Sequence, residues 1–232
     1  MAGSSTSMAC ARSGCAAAEV SAAGRGDRPT TITPKIPVVA VTGTNGKTTT
    51  VRMLAHIAKM AGHTPGLATT DGVYIDGQRT VEGDMTGPVS ARMVLADPQI
   101  DLAVLETARG GLLRAGMGVP EVDVGAVVNV ASDHLGLKGI DTLEQLAEIK
   151  RIVVEVARDC AVLNADDPNV LKMSAYTDAK VICYVTMNPS HPLVREHVRA
   201  GGRACALEQG VKHGSASGGG RRARAPCPRA RR

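Results

Sequence analysis

The 232-residue chain contains no Phe and no Trp, and Tyr74, Tyr176 and Tyr184 are its only aromatic residues. A core built here must therefore come from Val, Leu, Ile, Ala and Met. No apolar run approaches the length of a membrane-spanning helix, and no membrane partner is expected. The six cysteines (Cys10, Cys15, Cys160, Cys183, Cys205 and Cys227) form no Cys-x-x-Cys, so zinc-site spacing is absent. The N-terminal stretch is rich in Ala, Ser and Gly and lacks a continuous apolar segment, which argues against a secretory signal. Its low acid content is compatible with an organelle transit peptide.

Acidic residues are missing from one place in particular. The last twelve residues, "RRARAPCPRARR", hold six arginines and no Asp or Glu, and they account for the whole net charge of +5. The rest of the chain is close to neutral, so its folded part is not a basic nucleic-acid binder and no specific nucleic acid is expected as partner. The arginine tail itself has two readings. It can hold polyanions, or it can be a chance extension in a GC-rich reading frame.

What is present begins at "PVVAVTGTNGKTTTVRML", Pro37 to Leu54. Ile36 to Val41 is an apolar run of the length a buried parallel strand needs. From Thr48 onward Val51, Leu54, Ala55, Ala58 and Ala61 recur at helical spacing, with Arg52 and Lys59 off that stripe. The joint is Gly43-Thr44-Asn45-Gly46-Lys47-Thr48, followed by Thr49. Strand, glycine loop and a helix opening with Lys-Thr together form a phosphate-binding arrangement. Glycines let the backbone approach an anion, the helix N-terminus supplies N–H groups, and Lys47 adds a mobile charge. The Thr48 hydroxyl can join a magnesium ion that the phosphates also hold. The strict G-x-x-x-x-G-K-[ST] pattern fails by one residue, since Val41 stands at its first glycine. A phosphate loop points to a reducing cytosol, where scattered cysteines are buried hydrophobes or free thiols.

Strands and helices alternate beyond this point. Apolar strands are expected at 66–70, 101–106, 122–130, 160–165 and 179–185, and helices at 88–96, 142–158 and 168–175. The alternation predicts an α/β fold of phosphate-loop type, a doubly wound and mostly parallel sheet flanked by helices. Residues 1–35 read as a disordered low-complexity segment, 36–210 as one phosphate-loop domain, and 211–232 as a disordered Arg-rich tail.

Ligands of such sheets bind at the carboxyl ends of strands. Glu106 ends one strand and is either a magnesium ligand or an exposed acid. Asn129, Asp133 and His134 leave the next strand together; His134 is either a metal ligand oriented by Asp133 or a loop histidine bonded to its neighbour. In the segment 142–158, Asp141 and Glu144 have capping-box spacing, and the core stripe runs Leu143, Leu146, Ala147, Val153, Val154 and Ala157. Lys150 falls inside that stripe. The pattern alone favours an amine snorkelling to water over one pointed into a site with its pKa lowered by desolvation.

Taken together, "VTGTNGKTTT", "ATTDG", "VLETARGGLLRAG", "NVASDHLG", the lysine of "LAEIKRIVVE" and "VLNADDP" resemble the central ATP-binding domain of the Mur ligase superfamily, over about Ile36 to Ala204. "ETARGGLLR", "GDMTGPVSARMVL" and "YVTMNPSHPLVREHVRAGGRA" are similar to a branch that joins arginine to poly-aspartate. The resemblance implies an ATP- and Mg2+-dependent ligase in which a carboxylate is phosphorylated and an amine attacks the acyl phosphate. It also implies roles. Gly43, Thr44, Asn45, Gly46, Lys47, Thr48 and Thr49 would hold the phosphates. Thr48 and Glu106 would hold one magnesium ion and His134 a second. Lys47, His134 and Lys150 would be catalytic, Lys150 matching a lysine carbamylated in many Mur ligases. Thr69, Thr70, Arg109 and Arg114 would face substrate, and Asn164 to Asp167 would lie near the rest of the nucleotide. Family members continue into an "HN" motif and a third domain that are not found after Ala204. The expectation is a truncated or frameshifted piece that binds MgATP and is poorly active alone. A bare nucleotide-binding module and a basic-tailed polyanion binder remain alternatives, and the oligomeric state is not legible.

Overall fold

The computed structural model describes residues 32–133, 136, 139–208 and 211–215. Strand β1 (Val38–Thr42) is followed by helix α1 (Lys47–Met60), as the loop between them requires. The chain continues through β2 (Pro65–Thr69), a hairpin of β3 (Gly72–Ile75) and β4 (Gln78–Glu82), α2 (Pro88–Ala96), β5 (Leu102–Glu106), α3 (Arg109–Ala115) and β6 (Val122–Val127). Then come α4 (Leu143–Glu155), β7 (Ala157–Asn164), α5 (Pro168–Leu171) running into a 3-10 turn (Lys172–Tyr176), β8 (Val181–Thr186), α6 (Pro192–Arg199), β9 (Arg203–Glu208) and β10 (Val211–Ser215).

Among the described residues these strands form one ten-stranded sheet in the order β10-β9-β8-β7-β6-β1-β5-β2-β3-β4. The six pairings from β9 through to β2 are parallel. The hairpin β2-β3-β4 and the edge pair β9-β10 are antiparallel. The expected doubly wound, mostly parallel α/β sheet is the fold observed. β1 lies between β5 and β6; the chain leaves β1 for β2 on the β5 side, returns to β5, and crosses from there to β6 on the other side, which makes the ends of β1, β5 and β6 the switch point.

Alternation along β1 shows how the layers divide. Val38 and Ala40 pack with Val94 of α2, Leu112 of α3 and Val153 of α4. Val41 packs on the other face with Val51 and Ala55 of α1. Toward the far edge, Ala161, Leu163, Tyr184 and Ala204 face Leu146 and Val154 of α4 with Val170 and Val194. Close approach is built in at Gly125 on β6, where a Cβ would stand 2.2 Å from the Val153 carbonyl oxygen.

Several boundaries differ from the expected ones. Helix α4 stops at Glu155, and Ala157, expected on its core stripe, instead opens β7 and pairs with Val122. The cap of α4 is one residue later than expected. Thr142 accepts from the Gln145 amide at 3.2 Å while the Gln145 side chain accepts from Thr142 and Asp141 backbone N–H groups. The hydroxyl of Thr142 and the amide of Gln145 meet the same spacing rule as Asp141 and Glu144, and the chain uses the later pair. The β3-β4 hairpin, α3, α6, β9 and β10 were not anticipated. The hairpin had a signal: Asp76 and Gly77 both take positive φ, 48° and 81°, the Asp-Gly turn that suits a two-residue loop. Beyond residue 210, where the tail was expected to start, β10 continues the sheet by pairing with β9.

Candidate functional site

The loop after β1 is shaped by its neighbours. Gly43 lies so close to the end of β6 that a Cβ would stand 3.1 Å from Val128 Cβ and 3.3 Å from the Asn129 nitrogen. The Asn129 side-chain oxygen accepts from the backbone N–H groups of Thr44 (3.0 Å) and Asn45 (2.9 Å), and its amide donates to the Asn45 carbonyl at 3.1 Å. Thr44 anchors the loop again, its hydroxyl accepting from the Ala131 N–H at 2.9 Å. The Asn45 amide donates to Asp133 at 3.1 Å. Gly46 then takes φ +80° and caps α1 without any side-chain cap bond. The first-turn N–H groups of α1 are therefore not taken up by a capping side chain, which is the arrangement an anion can use.

Cations gather round this loop. The Lys47 amine donates to the Thr44 carbonyl at 2.8 Å, arching over the loop. Behind it, the Lys150 side chain of α4 is 3 % exposed and its amine donates to the Gly43 carbonyl at 2.7 Å. Burial, with the charges of Lys47 and Arg109 adding to it, lowers the Lys150 pKa to about 7. The amine is pointed inward, so the snorkelling that periodicity favoured is corrected. An i+7 position reveals the apolar stripe but not how deep the loop of the neighbouring strand sits beneath it.

Opposite the cations lies a carboxylate. Glu106 ends β5 at 2 % exposure, accepting from the Thr48 hydroxyl at 3.1 Å and the Thr70 N–H at 3.3 Å. Burial raises its pKa, and those two bonds together with nearby Lys47 only partly offset the effect. The Thr48 and Thr70 hydroxyls are 3.4 Å apart. Thr48, Thr70 and Glu106 thus meet at one point in front of the helix, and Thr49 is exposed on the next position of α1.

Other expected residues fall elsewhere. Thr69 is fully buried and its hydroxyl donates to Asp71 and to the Gly72 carbonyl, so it is turned into the fold and not toward the loop. Arg109 opens α3, where its charge bears on Lys150. Arg114 sits a turn further on, exposed, its Nε donating to the Gly110 carbonyl at 3.0 Å. Asp167 caps α5 and accepts from the Val130 N–H at 2.6 Å, while Asn164 donates to the Val128 carbonyl at 2.9 Å. Both hold the β6 end in place. His134 lies outside the described residues. The clamping part of Asn129 was missed in the sequence, although its position at a strand end was the available signal. A buried threonine exchange was missed as well: the Thr42 hydroxyl donates to the Thr107 carbonyl at 2.9 Å, and the Thr107 hydroxyl to the Val41 carbonyl at 3.1 Å.

The Mur ligase middle domain, as a family, matches residues 41–210 of this chain. The chain belongs to that family. Its relatives include the cyanophycin synthetase of Synechocystis sp. (strain ATCC 27184 / PCC 6803 / Kazusa), 52 % identical over 178 residues that make up 76 % of this chain and 20 % of that protein. A UDP-N-acetylmuramoyl-L-alanyl-D-glutamate--2,6-diaminopimelate ligase from Bacillus licheniformis is 27 % identical over 197 residues, covering 79 % of this chain and 40 % of its own. Among solved structures, the bifunctional folylpolyglutamate synthase/dihydrofolate synthase of Yersinia pestis, complexed with AMPPNP and a Mn ion, matches with a TM-score of 0.57. It is 22 % identical over 87 % of this chain and 50 % of that one, a likeness of fold. The chain thus spans about a fifth of the length of the cyanophycin synthetases it matches. No helix among the described residues is long and apolar enough to cross a membrane.

Proposed function

We propose that this Mur ligase middle domain is the ATP-binding part of an amide ligase of the cyanophycin synthetase type. In that reading a carboxylate of a poly-aspartate acceptor takes the γ-phosphoryl group of ATP and releases ADP. The amine of arginine then attacks the acyl carbon, the amide bond forms and phosphate leaves. The observation that supports it most directly is the meeting of Lys47, Thr48 and buried Glu106 at an uncapped helix N-terminus behind a glycine loop.

A magnesium ion fits the residues present. Glu106 is buried with a raised pKa and has no ion-pair partner among the described residues, so a cation there would offset the cost of its charge. Among the described residues no group of three or more metal-binding side chains exists. That suits Mg2+, which takes one or two protein ligands and fills the rest with phosphate oxygens and water. Thr48 and Glu106 would hold it, and it would supply charge neutralisation for the transferred phosphoryl group. His134 is assigned to a second ion on the resemblance alone.

The chain's own residues account for the rest. Within the loop Gly43 to Thr49, the N–H groups of Thr44 and Asn45 are held by Asn129, so those from Gly46 to Thr49 at the start of α1 are offered to the phosphates, and Lys47 leaves the Thr44 carbonyl to pair with them. Lys150 feels the positive charges of both Lys47 and Arg109. A neutral amine there relieves repulsion, and a carbamate there would turn repulsion into attraction. Thr70, beside Glu106, and Arg109 and Arg114 on α3 are assigned to the acceptor. Residues 36–210 act as the nucleotide-binding unit.

Calorimetry with MgATP tests the nucleotide part. Lys47→Ala should weaken binding by roughly 1.5–3 kcal/mol, the range for a charge-assisted hydrogen bond. Equal affinity in both proteins would sink the reading. The same substitution in a full-length cyanophycin synthetase should abolish arginine incorporation into a poly-aspartate primer, read by mass spectrometry.

A further inference from the structure

Away from the phosphate loop, at the far end of α3, lies a groove of about 250 Å³. Its walls are the segment before α2, with Asp84, Met85, Thr86 and Pro88, together with Ser90 on α2 and Arg114 on α3.

This groove is a rigid one. Asp84 Oδ1 accepts from the N–H and the hydroxyl of Thr86 at 3.2 and 2.7 Å, and the Ser90 hydroxyl donates to the Gly87 carbonyl at 2.6 Å. Two glycines clamp the same segment. A Cβ at Gly111 would stand 2.6 Å from the Thr86 carbonyl oxygen, and one at Gly118, which has φ +74°, would stand 2.5 Å from Pro88 Cβ. Side chains at either position would push the segment away from α3 and fill the groove's base.

The groove is also tied to the site. Met85 donates its N–H to the Thr69 carbonyl at 2.9 Å, and the next residue, Thr70, touches both Thr48 and Glu106. Arg114 lies five residues along α3 from Arg109, about 7–8 Å of helix axis. An extended peptide advances about 3.3 Å per residue. A chain whose reacting carboxylate sat in front of Glu106 and Thr70 and that ran along α3 would therefore reach Arg114 two to three residues after passing Arg109.

Charge narrows the ligand. Among the described residues Arg114 donates from Nε to the Gly110 carbonyl, and its terminal nitrogens can meet a carboxylate side by side. The Asp84 carboxylate in the opposite wall disfavours a dianion such as a phosphate and tolerates a singly charged group held against arginine. Met85 and Pro88 offer apolar surface to a peptide backbone or methylene.

We propose that this groove is a remote subsite for an acidic peptide, in which Arg114 binds a carboxylate two to three residues beyond the point where the peptide passes Arg109. The proposal rests on the ligase reading of the phosphate-loop site and adds to it where the acceptor chain runs.

The experiment uses the full 232-residue chain with Arg221, Arg222, Arg224, Arg229, Arg231 and Arg232 replaced by Gln, which removes tail binding of polyanions. Fluorescein-labelled di-aspartate and octa-aspartate are titrated by anisotropy in the presence of Mg2+ and a non-hydrolysable ATP analogue. Arg114→Ala should weaken octa-aspartate binding roughly tenfold or more, the effect of losing a charge-assisted pair. Arg114→Lys should recover part of the loss, and di-aspartate should bind both proteins alike. Unchanged octa-aspartate affinity in Arg114→Ala overturns the subsite. So does an equal loss for the two peptides, which would place Arg114 at the reacting end. MgATP affinity is measured on the same proteins. If it survives Lys47→Ala, the ligase reading fails; if it falls with Lys47→Ala while Arg114→Ala has no effect on octa-aspartate, only the subsite fails. Binding of octa-aspartate by the parent chain that vanishes on replacing the tail arginines overturns the groove in favour of the tail.

Discussion

Burial sets the chemistry of two residues, and in opposite directions. Lys150 has its pKa lowered to about 7, so between that value and the usual lysine range the unfolded chain holds a proton that the folded chain has released. Stability must then rise with pH across that window, and below pH 7 the full cost of a buried ammonium is present. In urea melts from pH 6.5 to 10, the parent chain should gain stability steadily, and Lys150→Met should flatten this rise; a parallel slope in both proteins would show that Lys150 is not the group responsible. Glu106 is the converse case. Its raised pKa means that the folded chain binds the extra proton, so the cost appears as pH rises past the ordinary carboxylate range. Glu106→Gln should melt no lower than the parent at neutral pH, yet lose the magnesium dependence of nucleotide affinity, as read by calorimetry with and without the ion. A collapsed thermal transition would instead mark Glu106 as a structural residue. Lys47, Thr48 and Glu106 were legible in the sequence because a strand end and a helix start specify direction. Lys150 was only half legible, and Thr69 was misjudged because nothing in "ATTDG" says which hydroxyl turns inward to Asp71 and Gly72.

Elements were legible where punctuation was strong. Pro88 at the first helical position and an extended Asp97 at the end bound α2 at the expected residues. Helix α4 was found but shifted, because Asp141-x-x-Glu144 and Thr142-x-x-Gln145 are offset by one residue and only three-dimensional fit chooses between them. Thr142→Ala should cost about 1 kcal/mol in chemical denaturation, whereas Asp141→Ala, whose side chain makes no cap bond, should cost much less. The contact between α4 and β6 is a harder constraint. Gly125→Ala places a methyl against the Val153 carbonyl and should destabilise by about 1–3 kcal/mol or more, since backbone must shift to admit it. Its far-ultraviolet signal should survive while the melting midpoint falls. The short elements β9 and β10 had no such marks, and pairing of β9 with β8 and of β10 with β9 is what makes them strands.

At the scale of the molecule, β1 is bound on both sides by its two site-forming neighbours. The Thr42 hydroxyl donates to the Thr107 carbonyl just past β5 and the Thr107 hydroxyl donates back to the Val41 carbonyl of β1, while Asn129 grips the loop from the β6 end. The doubly wound architecture was legible because alternating apolar runs and helical stripes allow few other arrangements. The grip was not, since it depends on which strand lies next to β1. It also has a kinetic meaning. With its shape held by Asn129, the loop has settled its conformational entropy during folding and need not search when a ligand arrives. Nucleotide association followed by stopped flow should therefore show a single phase whose rate is linear in concentration. Freed by Asn129→Ala, the loop should add a second phase that no longer depends on concentration, the time it takes to find its shape alone.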